Sequence, residues 1–395
     1  MGLFVGNLDK GWLPTDITSA MLSSSKIYGV TFDGSSHVGI RLYDSVGLRW
    51  TPSSEAAAGI DDFKNLAPFN VKKCVTQYNS STGKREVLAY EGDTNYATLI
   101  ANKTGDRMVE FPKFYYKRPN KWTWLVSPDY VQGFLPSPMH FRNGTMHDVA
   151  RVSEYMLSTS GSTVVSQPGS GPRGSTTIAD FRTILRAKGQ YVIDRSSYDM
   201  IAILAIIKYG DLNASLVNGG GHISGNNTIT LNDSIKGLDG YRTSLTDNLN
   251  IRVMGIEDFY GNAWTFIDGV FQYAGNVYVN NDIENIEAFP DMTNYVQKGW
   301  TKLDTTIPQG VSANYFNNIA FDPKDPSIMF PTSTGGDDSN PIGDGYWTGS
   351  GNTQFVVLAG GGGWDGSLAG LLAWNSADGL SISTISFGAF ALEVG

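Results

Sequence analysis

Side chains able to do chemistry are few in this sequence, and they are scattered. Glu257, Asp258 and Asp268 form one acidic group, in a stretch shared with Asn262 and Trp264. Hydrolysis by a general acid and base needs two carboxyls facing one bond. Neighbouring residues of a strand face opposite sides, which disfavours Glu257 with Asp258 and leaves a pair such as Glu257 with Asp268 formally open. Cys74 is the single cysteine. It can form no intramolecular disulfide and reads as a small buried hydrophobe rather than a nucleophile. His140 and His147 stand seven residues apart with no third and fourth ligand close by, so they read as satisfied loop histidines. Asp337, Asp338, Asn340 and Asp344 could offer oxygen ligands to calcium, but their spacing is not that of an EF-hand and reads as a solvated acidic turn. Gly219-Gly220-Gly221 has no strand leading in and no Lys-Ser/Thr leading out, which sets a phosphate loop aside. No metal, cofactor or catalytic residue is expected.

What remains is a surface for binding. Phe355 to Gly395 opens with an apolar run, Phe355-Val356-Val357-Leu358, and turns through Gly360 to Gly363. It closes on Ile385 to Leu392, which alternates like a strand. Between the two lies a loop of mixed chemistry. Its expected display is Trp364, Asp365, Ser367, Leu368, Trp374, Asn375, Ala377 and Asp378, with Tyr346 and Trp347 as a rim. Trp gives large rigid contact area, while Asn, Asp and Ser give adaptable hydrogen bonds. Trp364 and Leu371 can equally be core residues beneath the loop.

The elements that must hold this loop follow from hydrophobic period and turn chemistry. Ile27 to Phe32, the Asp33-Gly34 turn and Val38 to Leu42 read as a hairpin. Further strands are expected at Val71 to Gln77, Val87 to Tyr90, Met108 to Lys117 and Trp122 to Val126, with Pro112 marking an edge or a bulge. Residues 136–175 read as loop. Two helices are expected. One runs from Ile178 to Lys188, capped by Thr176-Thr177, and one from Tyr198 to Tyr209, capped by Ser196-Ser197. The second is apolar almost all round, so it should be the central buried helix. The domain expectation is an assembly or docking segment at 1–25, a β-rich platform at 26–135, and a ligand-binding domain at 136–395 whose terminal loop covers 355–391.

Composition fits an exposed, turn-rich binder. The 395 residues are long enough for two or three domains, and 46 of them are glycine. The net charge of −9 comes without a basic stripe, so no nucleic-acid footprint is expected. The start of the chain lacks a basic region and a long apolar run, so no secretion signal is expected, and the run Met200 to Ile207 is too short for a membrane span.

Two stretches together resemble a known family. IEDFYGNAWTFIDGVF, with Asn262-Ala263-Trp264, and LAGGGGWDGSLAGLLAWNSADGLSISTISFGAF, with Gly362-Gly363-Trp364, Gly366, Gly370, Asn375 and Phe387-Gly388-Ala389, resemble the variable proteins of diversity-generating retroelements. Those proteins have a C-type-lectin fold of the formylglycine-generating-enzyme type and include phage tropism determinants and gut-phage tail proteins. IYGVTFDG, MVEFPKFYYK and FLPSPMHF resemble the start of the gut-phage members, so the likeness covers roughly residues 26–395. Phe390 stands where the family usually has arginine, and the loop is richer in leucine than a freshly diversified one.

The resemblance implies an α+β fold in which the platform precedes a lectin-like domain. It implies a homotrimeric receptor-binding protein at a virion tail tip, made in the host cytoplasm without a signal peptide. Its partners would be a host cell-surface protein or glycan and other tail proteins. It implies no enzyme, since formylglycine chemistry needs a cysteine pair in the lectin-like domain. A structural tail or baseplate component, using the same loop for assembly, and a carboxylate hydrolase are the alternatives.

Overall fold

A computed structural model describes residues 25–53, 57–160, 163–221, 250–286 and 288–395. The expected docking segment at 1–25 therefore lies outside the described residues, save Ser25. Strand dominates. The α-helices among the described residues are Tyr96–Ala101, Ile178–Arg186, Arg195–Tyr209 and Ala214–Asn218, with one 3-10 turn at Gly366–Leu368. The α+β expectation is thus met as a mostly β fold with few helices, two more than the sequence suggested.

The two expected strands pair as a hairpin, Tyr28–Thr31 antiparallel to Ile40–Tyr43, but residues 32–39 form a longer connection than the tight Asp33-Gly34 turn expected, and Val38 bridges Asp211 instead. The hairpin heads a five-stranded sheet completed by Thr123–Ser127, Tyr115–Asn120 and Leu135–Pro136. Tyr28, Val30, Trp124, Val126 and Tyr116 are buried on the inner face of this sheet. Met108 to Lys117, expected as one strand, is two. Pro112 cannot donate to a ladder, and the chain leaves one sheet there as Asp106–Pro112 and enters the other at Tyr115.

The second sheet runs, in order, Tyr191–Val192, Ala391–Val394, Val149–Ser153, Asp106–Pro112, Lys72–Asn79 and Lys84–Tyr90. One expectation changes here. Val149–Ser153 lies mid-sheet within a stretch read as loop. Its Arg151, polar in the sequence, pairs with Glu110 at 2.7 Å on the adjacent strand. Ala391–Val394 bonds to Val149–Ser153 on one side and Tyr191–Val192 on the other, so a strand from the far end of the chain sits in the same sheet as Asp106–Pro112.

Arg195–Tyr209 is buried at every residue, as its all-round apolarity requires. Its cap is Asp194 rather than Ser196 or Ser197. The Asp194 carboxylate accepts from the Ser197 amide at 3.2 Å and is held by Arg142 at 2.9 Å, so the cap is buried together with its counter-charge. The other long helix has the expected Thr177 cap, with Asp180 completing a capping box.

The third sheet has nine strands and carries the terminal segment. Its order is Thr301–Thr306, Asn276–Val279, Trp264–Tyr273, Gln354–Ala359, Trp374–Ser376, Gly345–Thr348, Asn314–Ile319 and Pro331–Thr334. Phe387–Gly388 is the ninth, lying parallel to the start of Trp264–Tyr273. The closing strand expected at Ile385 to Leu392 is therefore divided between two sheets, with Ala391–Val394 in the second. No helix among the described residues is long and apolar enough to cross a membrane.

Candidate binding surface

Strand alternation decides which of the expected display residues reach the surface. Gly345–Thr348 lies parallel to Trp374–Ser376, with Tyr346 opposite Trp374 and Trp347 opposite Asn375. Paired residues share a face of the sheet. Tyr346 and Trp374 face the main core and are wholly enclosed. Trp374 packs beside Phe330, under the Arg195 guanidinium, and its indole N–H donates to Ser376 Oγ at 2.9 Å. These two residues, expected in the display and at its rim, are instead its underside. Leu371 and Leu372 join the same core.

On the opposite face the expected residues do gather. Trp347 and Trp364 are half-buried against a second apolar cluster that includes Trp264, Phe266 and Leu358. The Trp347 ring meets Trp264 edge-on, centroids 5.2 Å apart. The Trp264 indole also bonds the Asp365 side chain, whose carboxylate accepts from the Gly362 amide at 2.7 Å. Burial pushes the Asp365 carboxyl up to about 6, against the pull of both hydrogen bonds. Beside Trp347, Asn375 is 9 % exposed and donates to Asp378 at 3.2 Å. Burial raises the Asp378 carboxyl too. Ala377, between them, is exposed.

The other margin is built from a residue the sequence did not single out. Tyr315 lies opposite Gly345, and its hydroxyl meets the Ser367 hydroxyl at 2.6 Å. A Cβ on Gly345 would stand 2.5 Å from Leu368 Cδ2, so glycine there is what lets Leu368 lie flat on the sheet. Leu368, Trp364 and Asp365 are partly exposed and Ser367 is fully so. The alternation of Asn314–Ile319, NYFNNI, could have pointed to Tyr315.

The two stretches whose pairing suggested a family touch directly. Asn262 forms a parallel bridge with Gly362, and the Gly363 amide donates to the Asn262 carbonyl at 3.0 Å. The Trp264 amide donates to Ser386 at 3.0 Å, so Asn262-Ala263-Trp264 braces both ends of the terminal loop.

No family model matches the chain, and no curated protein matches it either. Among solved structures it is similar to Major Tropism Determinant variants. For the U1 variant the identity is 11%, with 81% of this chain and 71% of that chain covered, at a TM-score of 0.29. For the M1 variant the identity and both coverages are the same and the TM-score is 0.30. The P3c variant is 12% identical at a TM-score of 0.29.

The groups set aside on sequence grounds have structural partners. Glu257 pairs with Arg252 at 3.3 Å, Asp258 accepts from Asn262 at 2.6 Å, and Asp268 is gripped by Arg182 at 2.6 and 2.8 Å. His140 is buried, bonded to the Phe111 carbonyl at 3.1 Å and to Ser137 Oγ at 3.3 Å, and burial pushes its pKa down to about 4. His147 meets the Gly395 carbonyl. Burial pushes the Cys74 thiol up to about 12. Asp337 caps its own turn through Ser339 and Asn340, while Asp344 is turned to the interior, so the four suggested calcium ligands do not converge. No cluster of His, Cys, Asp or Glu suited to a metal occurs among the described residues.

One sequence feature of this surface escaped the residue-by-residue view. From Asp325 to Gly395 there is no Lys, Arg or His, against six Asp and one Glu.

Proposed function

We propose that this protein is a phage receptor-binding protein that presents the Trp347–Trp364 face to a host cell surface. The observation that carries the proposal is the sidedness of the third sheet. One face is sealed into the core through Tyr346 and Trp374, and the other bears half-exposed indoles ringed by Asp365, Ser367, Leu368, Asn375 and Asp378. Aromatic anchors on a rigid frame, with adaptable polar groups around them, are the pattern of a recognition surface. The contact of Asn262-Ala263-Trp264 with Gly362-Gly363-Trp364 supports the likeness to retroelement-diversified tail proteins.

In that reading the protein sits at the tail tip as a homotrimer beside other tail proteins. Several weak sites then engage one cell together. The protein acts as a binder, not an enzyme, in keeping with acidic side chains such as Glu257, Asp258 and Asp268 that are engaged by Arg252, Asn262 and Arg182. Its 355–391 segment is the part a retroelement would vary.

Adsorption to a panel of bacterial strains tests the proposal. The wild-type protein should adsorb to some strains, and Trp364→Ala with Asn375→Ala should adsorb at least about tenfold less. Equal adsorption by a double variant that melts like the wild type would leave the structural-component alternative standing. For the assembly, light scattering should give three times the chain mass of 42.8 kDa.

A further inference from the structure

We infer that the ligand of the Trp347–Trp364 face is an uncharged glycan. This rests on the receptor-binding reading and narrows it to one ligand class.

The first support is charge. The segments that build the face, Gly345–Thr348 and the loop from Gly360 to Asp378, belong to the 71 residues that hold no cation. Tyr315 and Trp264, contributed from elsewhere, bring none either. Lys324, the cation that immediately precedes this run in the chain, pairs with Asp304 at 2.6 Å. Among the described residues that build this face, a sialate, uronate or phosphate ligand would meet the Asp365 and Asp378 carboxyls with no counter-charge, and like charges brought together select against such a partner.

The second support is the kind and placing of the groups. Trp347 and Trp364 are half-buried, so each offers part of an indole rather than a protruding anchor. The C–H face of a pyranose ring is apolar and flat and lies well on such a surface. Around the indoles stand an amide–carboxyl pair, Asn375 with Asp378 at 3.2 Å, and a hydroxyl–hydroxyl pair, Tyr315 with Ser367 at 2.6 Å. Each pair keeps spare donor and acceptor capacity, which suits sugar hydroxyls that both give and take hydrogen bonds.

The test uses the full-length protein and a strain to which it adsorbs. Polysaccharide released from that strain is separated by anion exchange into an unretained, uncharged fraction and a retained, acidic one. The uncharged fraction should compete for adsorption and the acidic one should not. Periodate oxidation of the cells should abolish adsorption. Adsorption should change less than about twofold between about 50 and about 500 mM NaCl, since no exposed ion pair is made. Trp364→Ala should weaken competition about tenfold. Ser367→Lys, at an exposed position outside the core, should weaken it similarly by blocking the rim. Competition by the acidic fraction alone, or adsorption that survives periodate, would overturn the glycan assignment while leaving receptor binding intact. A protein that adsorbs to no strain would remove both.

Discussion

Asp344 offers the sharpest test of how the display is held. Its side chain is wholly enclosed beneath the loop that joins Gly370 to Trp374, accepts from the Leu372 amide at 2.6 Å through Oδ2, and has no partner at Oδ1. Burial pushes this carboxyl up to about 8 from 3.8, against the pull of the Leu372 and Ala373 amides. The native state therefore keeps a proton that the unfolded chain has lost above about pH 4. For an acid raised in the fold, stability falls as pH rises from the unfolded value towards the folded one. Each pH unit in that window costs about 1.4 kcal/mol, so the ceiling for the whole window is on the order of 5 kcal/mol. Asp344→Asn mimics the protonated form. It puts an amide NH₂ where the carboxyl had one O–H, adding one unpartnered donor, so near pH 4 it should cost about 1–3 kcal/mol, an offset that does not vary with pH. Urea melts of both proteins from pH 4 to pH 9 should diverge, with the wild type losing stability relative to the variant up to about pH 8 and the difference levelling above it. Parallel profiles would refute the assignment of a buried, protonated carboxyl at this position.

Three further outcomes follow from the same interior. Arg182→Ala strands the buried Asp268 carboxylate it grips, and should cost about 3–5 kcal/mol in a denaturant melt. Gly361 has φ +77° and its missing Cβ would fall 2.7 Å from Ala369, so Gly361→Ala should lower the melting temperature and weaken adsorption together. Cys74 should stay unreactive to a thiol-specific reagent in the native protein and react fully once unfolded, since it is wholly buried and its thiol is pushed up to about 12.

Elements with a strong local signal were legible in the sequence. The hairpin strands on either side of Asp33-Gly34, the Thr177-capped helix and the apolar helix to Tyr209 declare themselves through period and punctuation, and each forms. Features set by distant partners were not. The alternation that turns Trp374 into the main core and Asn375 to the opposite face depends on the register of Trp374–Ser376 against Gly345–Thr348, and a three-residue strand cannot announce its register alone. Val149–Ser153 hides as a strand because Arg151 finds its counter-charge on the adjacent strand. Asp194 caps its helix with the help of Arg142, more than fifty residues upstream. Of the display, Trp347, Trp364, Asp365, Ser367, Leu368, Asn375, Ala377 and Asp378 were read from composition and share one face. Tyr315 joins them through strand pairing.

The strand Ala391–Val394, zipped between Val149–Ser153 and Tyr191–Val192, makes the integrity of the whole fold depend on the last residues of the sequence. It is encoded downstream of the loop, yet it completes a sheet begun more than two hundred residues earlier. A lesion in the loop's coding stretch that shifts the reading frame or introduces a stop would remove this strand, leaving Tyr191–Val192 without a sheet partner and one edge of Val149–Ser153 bare. Such products would fail to fold and would not reach assembly, whereas in-frame substitutions at exposed loop positions would leave the closing strand untouched. The closing strand thus acts as a checkpoint, because a product that lacks it cannot complete the sheet whatever its loop carries.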